Sequence, residues 1–126
     1  MNSWNLSDGT NLYGMFVFAK AFNQPLGSWN VTNARITEMF AGAESFDQDL
    51  SGWDVSSITD MSEIFTDSAL STANYNAILI SWAAQAVQNN VVFSAGTTKY
   101  SAGAAAAARA VLVGKGWVIT DGGEAP

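Results

Sequence analysis

The sequence predicts a short α/β solenoid of stacked repeats, closed by a C-terminal segment that does not repeat. Three observations point to it. Trp4, Trp29 and Trp53 are 25 and 24 residues apart. Phe16, Phe40 and Phe65 follow at intervals of 24 and 25. After residue 69 this pattern stops, and helix-like and strand-like runs alternate instead. A fixed period of this length marks a repeat architecture, in which each unit buries its apolar face on the next.

The repeat can be aligned residue by residue. The stretch 16–29 lies on 40–53 without a gap, with identities at Phe16/Phe40, Ala19/Ala43, Phe22/Phe46, Gln24/Gln48, Leu26/Leu50 and Trp29/Trp53. The second unit then runs one residue short: Trp29 to Phe40 is 11 residues, where Trp4 to Phe16 and Trp53 to Phe65 are 12. A third copy dissolves after Phe65. The units fall near 3–27, 28–51 and 52–69, so residues 1–69 form the repeats and residues 70–126 a cap within one structural domain.

Each unit has a physical reading. Trp29-Asn30-Val31 and Trp53-Asp54-Val55 alternate apolar and polar residues, as a half-buried strand does. Gly27 and Ser28, or Ser51 and Gly52, supply turn residues before it. Val55, Ile58, Met61, Ile64 and Phe65 then recur every three residues, which predicts a helical or 3₁₀ turn with one face inward. Leu6, Leu12, Met15 and Phe16 fill these places in the first unit; Val31, Ile36, Met39 and Phe40 fill them in the second. One strand and one helical turn per unit make a right-handed, leucine-rich-repeat-like solenoid with short parallel strands.

The C-terminal part reads helix–strand–helix–strand. Residues 72–89 form a helix capped by Thr72 or Asn74, with Tyr75, Ile78, Leu79, Trp82, Ala83 and Ala86 on its apolar face. Asn89-Asn90 ends it, and residues 91–93 form a strand. Ser101 caps a second helix running to Val113, and residues 114–116 end it. Residues 117–119 form the last strand. Strand–helix–strand favours parallel pairing, so this segment continues the sheet of the repeats and covers their last apolar face.

Composition narrows the function. Hydrophobic residues make up 48% of the 126-residue chain, enough for a real core. The formal charge is −6, and the five basic residues, Lys20, Arg35, Lys99, Arg109 and Lys115, are scattered. That balance repels polyanions and argues against nucleic acid as a partner. Without Cys or His there is no disulfide, thiolate nucleophile, imidazole base or soft-ligand metal site. No charged start precedes an apolar run, so no signal peptide is visible in this chain. The longest apolar stretch, residues 102–113, is mostly Ala with Gly103 and Arg109, too short and too weakly apolar to span a bilayer.

The candidate residues each carry a bland and a sharp reading. Trp4, Trp29 and Trp53 suit a buried ladder between units better than a sugar-stacking platform, because Leu6, Val31 and Val55 share their face. The residues facing the other way, Ser3, Asn5, Ser28, Asn30 and Asp54, form a solvated sheet surface or a ligand-facing strip. Asp47, Asp49, Asp54, Asp60 and Asp67 offer oxygen ligands for calcium, but without the spacing of a calcium loop they suit loop capping better. Asn23, Gln24 and Gln48 suit backbone satisfaction between units. Gly114-Lys-Gly-Trp117 has the wrong spacing for a phosphate loop. No catalytic set and no cofactor are expected.

The runs Phe22-Asn-Gln-Pro-Leu-Gly-Ser-Trp-Asn-Val31 and Phe46-Asp-Gln-Asp-Leu-Ser-Gly-Trp-Asp-Val-Ser-Ser-Ile-Thr-Asp-Met-Ser-Glu-Ile-Phe65 resemble BspA-like surface-protein repeats, the mycoplasma-lipoprotein type carried as a domain of unknown function. The resemblance covers about residues 3–66, and residues 70–123 resemble the segment that often ends such arrays. It implies a noncatalytic binding or adhesion module, the C-terminal part of a secreted or cell-surface bacterial protein, with a protein or glycan as partner. The alternatives are a structural stalk or cap that binds nothing, and a calcium- or carbohydrate-binding module. The first unit has no cap before it in this chain, which predicts self-association through that edge.

Overall fold

The computed structural model describes residues 14–27, 29, 31 and 35–125. It is a mixed α/β structure with a small parallel sheet and two helices. The order along the chain is β1 (Asp60–Met61), α1 (Thr72–Ala83), β2 (Val92–Ser94), α2 (Ala104–Gly114) and β3 (Val118–Thr120). β1 pairs with β2 through Asp60↔Val92 and Met61↔Phe93. β2 pairs with β3 through Val92↔Val118, Phe93↔Ile119 and Ser94↔Thr120.

The strand expected at residues 53–55 is absent; those expected at Trp4 and Trp29 lie wholly or partly outside the described residues. Trp29, Val31, Trp53 and Val55 are buried as the alternation requires, and Asp54 is exposed. Yet the backbone of residues 53–55 is satisfied by other means. The Trp53 amide closes a turn on the Leu50 carbonyl. Gln85, from beyond α1, accepts from the Val55 amide at 2.9 Å and donates to the Trp53 carbonyl at 2.8 Å. With those groups spent there is no ladder left to make. The strand instead falls at Asp60–Met61, inside the stretch expected to be helical.

The rest of that stretch is a run of tight turns, not a helix. In the second unit the amides of Met39, Ala41 and Ala43 close turns on Ile36, Glu38 and Phe40. The alternate amides, of Glu38, Phe40 and Gly42, cross to the carbonyls of Ser62, Ile64 and Thr66 in the third unit. The first unit does the same: Gly14, Phe16 and Phe18 donate to Thr37, Met39 and Ala41. The apolar spacing of three therefore reports a real three-residue closure. A continuous 3₁₀ helix, however, would spend every amide within its own unit.

Two left-handed residues per unit break that continuity. Gly14, Glu38 and Glu63 occupy one equivalent slot, with φ of 60°, 57° and 56°. Phe18, Gly42 and Asp67 occupy the other, with φ of 57°, 72° and 59°. Outside glycine this region costs about 1–2 kcal/mol per residue. The ladder between units and the core beneath it offset that cost.

The core is built in columns. Phe16, Phe40 and Phe65 stack with ring centroids 5.6 and 5.8 Å apart, and Phe22 and Phe46 stack at 6.0 Å. Within a unit the two columns touch, at 4.1 Å for Phe16–Phe22 and 4.0 Å for Phe40–Phe46. Phe93 meets Phe65 edge-on and ends the column against Trp82 and Trp117.

The nonrepetitive segment reproduces contacts of the repeat. The Trp53 indole N–H donates to the Leu26 carbonyl at 2.8 Å, and the Trp82 indole of α1 makes the equivalent bond to the Leu50 carbonyl at 3.3 Å. Asn23 accepts from the Asp47 amide, and Asp47 accepts from the Ser71 amide 24 residues on.

The helices differ in detail from expectation. Ser71, not Thr72 or Asn74, caps α1, accepting from the Asn74 amide. α1 ends at Ala83 because the amides of Ala84 and Gln85 tighten into three-residue closures, freeing Gln85 and Gln88 to reach the third unit. Ala86, beyond that end, is exposed. Ser101 does not cap α2: it pairs with Asn76, and Gly103 with φ of 89° takes the cap position. Among the described residues no helix is long and apolar enough to cross a membrane.

Candidate functional site

Of the strip Ser3, Asn5, Ser28, Asn30 and Asp54, the first four lie outside the described residues. Asp54 is exposed, but its carboxylate is engaged by its own turn. It accepts from the Ser56 hydroxyl at 2.6 Å and from the Ser56 amide at 3.0 Å. These two bonds, the hydroxyl first, hold its carboxyl below the usual carboxylate range.

The same economy governs the other acids. Asp49 accepts from the Ser51 amide, and Asp60 from the Ser62 amide and hydroxyl. Asp47 accepts from the Ser71 amide and the Asn74 side chain. Among the described residues no three carboxylates converge. Asn23 and Gln48 bridge the first two units, with the Gln48 amide donating to the Asn23 side chain at 2.8 Å and to its carbonyl at 3.4 Å.

Asp67 is the exception among these five aspartates. No described residue donates to its carboxylate. It lines an open depression of about 420 Å³ together with Phe18, Gly42, Glu44, Ser68 and Thr97. The lining comes from four successive layers: Phe18 from the first unit, Gly42 and Glu44 from the second, Asp67 and Ser68 from the third, and Thr97 from the segment after β2. Phe18, Gly42 and Asp67 are the three left-handed residues of one slot, so the backbone device that builds the ladder also aligns this row.

Phe18 and Glu44 are additions to the residues singled out from sequence. Phe18 is 73% exposed, more than any other large apolar side chain described. Its signal was available in the alignment: an aromatic stands where the equivalent positions hold Gly42 and Asp67. Its ring lies on Gly42 so closely that a β-carbon there would come within 2.4 Å of it.

A second polar cluster sits in the C-terminal part. The Asp121 carboxylate, 3% exposed, accepts from Arg109 Nε at 2.8 Å and from the Tyr75 hydroxyl at 2.6 Å. The Gly123 amide adds a third bond, and the Arg109 guanidinium lies over the Tyr100 ring at 5.0 Å. Burial, and then the neighbouring Asp121, push the Tyr75 hydroxyl far above its ordinary range. The cluster ties α1, α2 and the turn after β3 together and is enclosed by them, which makes it a structural lock.

Comparison with curated proteins and with solved structures gave no match to either. A family model does match, over residues 1–104, from the repeats through α1 and β2 to the first residue of α2. It describes a mycoplasma protein of unknown function, DUF285, a family related to BspA-like surface proteins, and the chain belongs to that family.

Proposed function

We propose that the chain is a noncatalytic binding or adhesion module of a secreted or cell-surface bacterial protein, built as a right-handed, leucine-rich-repeat-like solenoid. The observation that supports this reading is the depression that runs across the three units and the segment after β2. Stacked units use their aromatic residues as core, so the side chains left over for recognition are those that the repeat aligns on its surface. Phe18, Glu44 and Asp67 form such a group, and none of them is spent on the core or on capping a turn. Purified extracellular-matrix proteins tested for capture on the immobilised chain check it. Capture that falls in a Phe18→Ala/Asp67→Asn variant supports the reading. Equal capture by both chains moves the contact elsewhere on the surface. No capture of any protein or glycan favours the alternative, a structural stalk without a ligand.

A second reading, self-association, is favoured by the edge of the first unit. Met39 and Ala41 accept ladder bonds from the unit before them, but no described residue donates to the equivalent carbonyls of Met15 and Val17. A second copy that offers amides at this spacing would extend the ladder. Sedimentation at rising concentration tests it: a single monomeric species throughout removes this reading.

A further inference from the structure

The depression has a definite charge. Its ionisable lining residues are Glu44 and Asp67, both acidic. Lys20 approaches Glu44 at 3.9 Å, but both side chains are largely exposed, and such a pair contributes little. The Asp67 carboxylate meets no donor among the described residues, whereas those at 49, 54 and 60 cap their own turns and that of Asp47 accepts from Ser71 and Asn74.

Phe18 is out of place unless its ring serves something outside the fold. It does not serve the core, since it is 73% exposed. It does not serve the backbone either, since its slot requires a left-handed φ, which Gly42 and Asp67 meet more easily. The ladder accounts for the backbone conformation but not for an exposed aromatic ring at this position, and such an unexplained choice motivates a functional hypothesis. The contact of its ring with the Gly42 backbone fixes the ring at the wall of the depression.

We propose that this depression binds a cationic side chain, the ammonium of a lysine or the guanidinium of an arginine, presented by a partner protein. The proposal rests on the binding-module reading and supplies the chemistry of its ligand. An aromatic face attracts a cation through its quadrupole. Two carboxylates beside it add Coulombic attraction and accept its N–H donors, and the Ser68 and Thr97 hydroxyls offer further acceptors. A net charge of −6, with few and scattered basic residues, draws such a partner from a distance. An anionic ligand meets repulsion, and a neutral sugar stacks on the ring and donates hydroxyls to the carboxylates but gains no Coulombic attraction.

Fluorescence anisotropy with labelled hexalysine and hexaarginine peptides tests the proposal, with a neutral hexapeptide and neutral oligosaccharides as comparison probes. The expected result is binding of the basic peptides alone. A Glu44→Gln/Asp67→Asn variant should weaken it about tenfold, and Phe18→Ala about threefold, with Phe18→Tyr retaining it. A Glu63→Gln/Glu124→Gln control removes the same charge outside the depression and should weaken binding by less than about twofold. Equal loss in the two double variants overturns the proposal, since attraction is then general and not sited. So does binding of a neutral saccharide that needs Phe18 but neither carboxylate, an outcome that keeps the binding-module reading. Failure of the basic peptides to bind overturns the cation assignment alone, because the module reading stands or falls on capture of matrix proteins. Thermal melting of each variant confirms that the fold is retained.

Discussion

In the repeats, the Phe16 amide bonds the Met39 carbonyl, and the Phe40 amide bonds that of Ile64. The same atoms of the same slots meet again one unit later. In residues 70–125 the Trp82 and Ser71 bonds repeat earlier ones, but most side-chain bonds are single events: Gln85 on Val55 and Trp53, Asn76 on Ser101, Arg109 and Tyr75 on Asp121. The first region is held by one geometry used repeatedly, the second mostly by side chains used once. The difference teaches where sequence change is tolerated. A repeated backbone device accepts Gly or Glu in one slot and Phe, Gly or Asp in the other, while a unique polar lock depends on the identity of its members.

The largest test strikes the shared column. Phe40 is fully buried and stacks on Phe16, Phe46 and Phe65 at once. Phe40→Ala should destabilise the chain by about 3–5 kcal/mol in urea unfolding followed by tryptophan fluorescence. A loss under about 1 kcal/mol would break the comparison, because the column would then not be what joins the units.

The next test strikes the lock. Arg109→Met leaves the enclosed Asp121 carboxylate with only the Tyr75 hydroxyl and the Gly123 amide. Removing one partner of a buried pair costs several kcal/mol, and the two remaining donors and the partial exposure of Arg109 reduce this to about 2 kcal/mol. A Tyr75→Phe/Arg109→Met/Asp121→Leu variant should recover most of the loss, since an apolar replacement leaves no orphaned charge. If the triple variant melts lower than the single one, the cluster contributes net stability as well as geometry.

Sequence spacing was most informative where packing repeats. The Phe and Trp intervals located the columns and the buried indoles, and the apolar runs near 92 and 118 located two parallel strands. What spacing could not show was the direction of each amide. The first strand moved to Asp60–Met61 because a side chain 30 residues away, that of Gln85, takes the Val55 amide. The left-handed slots were half legible, since Gly14 and Gly42 signal them and Phe18, Glu38, Glu63 and Asp67 do not. Of the expected strip only Asp54 lies among the described residues, and there the loop-capping reading of the aspartates holds: in the Asp-x-Ser pattern at 49–51, 54–56 and 60–62 the aspartate caps its own turn. Asp67 breaks the pattern, with Ala69 two residues on, and it is the one that faces the depression.

The slot of left-handed residues gives a finer test. Gly42→Ala places a β-carbon against the Phe18 ring in a conformation that favours glycine, and should cost about 1–2 kcal/mol. Glu63→Gly, in the other slot, relieves the same backbone cost and should leave stability unchanged or raise it by up to about 1 kcal/mol. Opposite signs at the two sites sharpen the view that a backbone conformation, not a side chain, is what repeats. Two losses of equal size would tie Glu63 to a specific contact instead.

The smallest effect belongs to a turn cap. The Ser56 hydroxyl and then its amide hold the Asp54 carboxyl below its unfolded value near 3.9. A carboxyl that is more acidic in the folded chain contributes stability that is complete above the unfolded value and is lost as the pH falls through the folded one. The contribution is small because Asp54 is exposed and its bonds compete with water. In Ser56→Ala the amide bond remains and the hydroxyl bond goes, so the Asp54 titration followed by carboxylate NMR should move upward, toward the ordinary range. The acid limb of the stability curve should then start at the same pH, set by the unfolded chain, but fall less far and end at higher pH. An unmoved titration would mean that the amide alone sets the acidity. The Asp-x-Ser turns would then be backbone devices, like the ladder they punctuate, and the repeats would differ from the C-terminal part even in how they hold their charges.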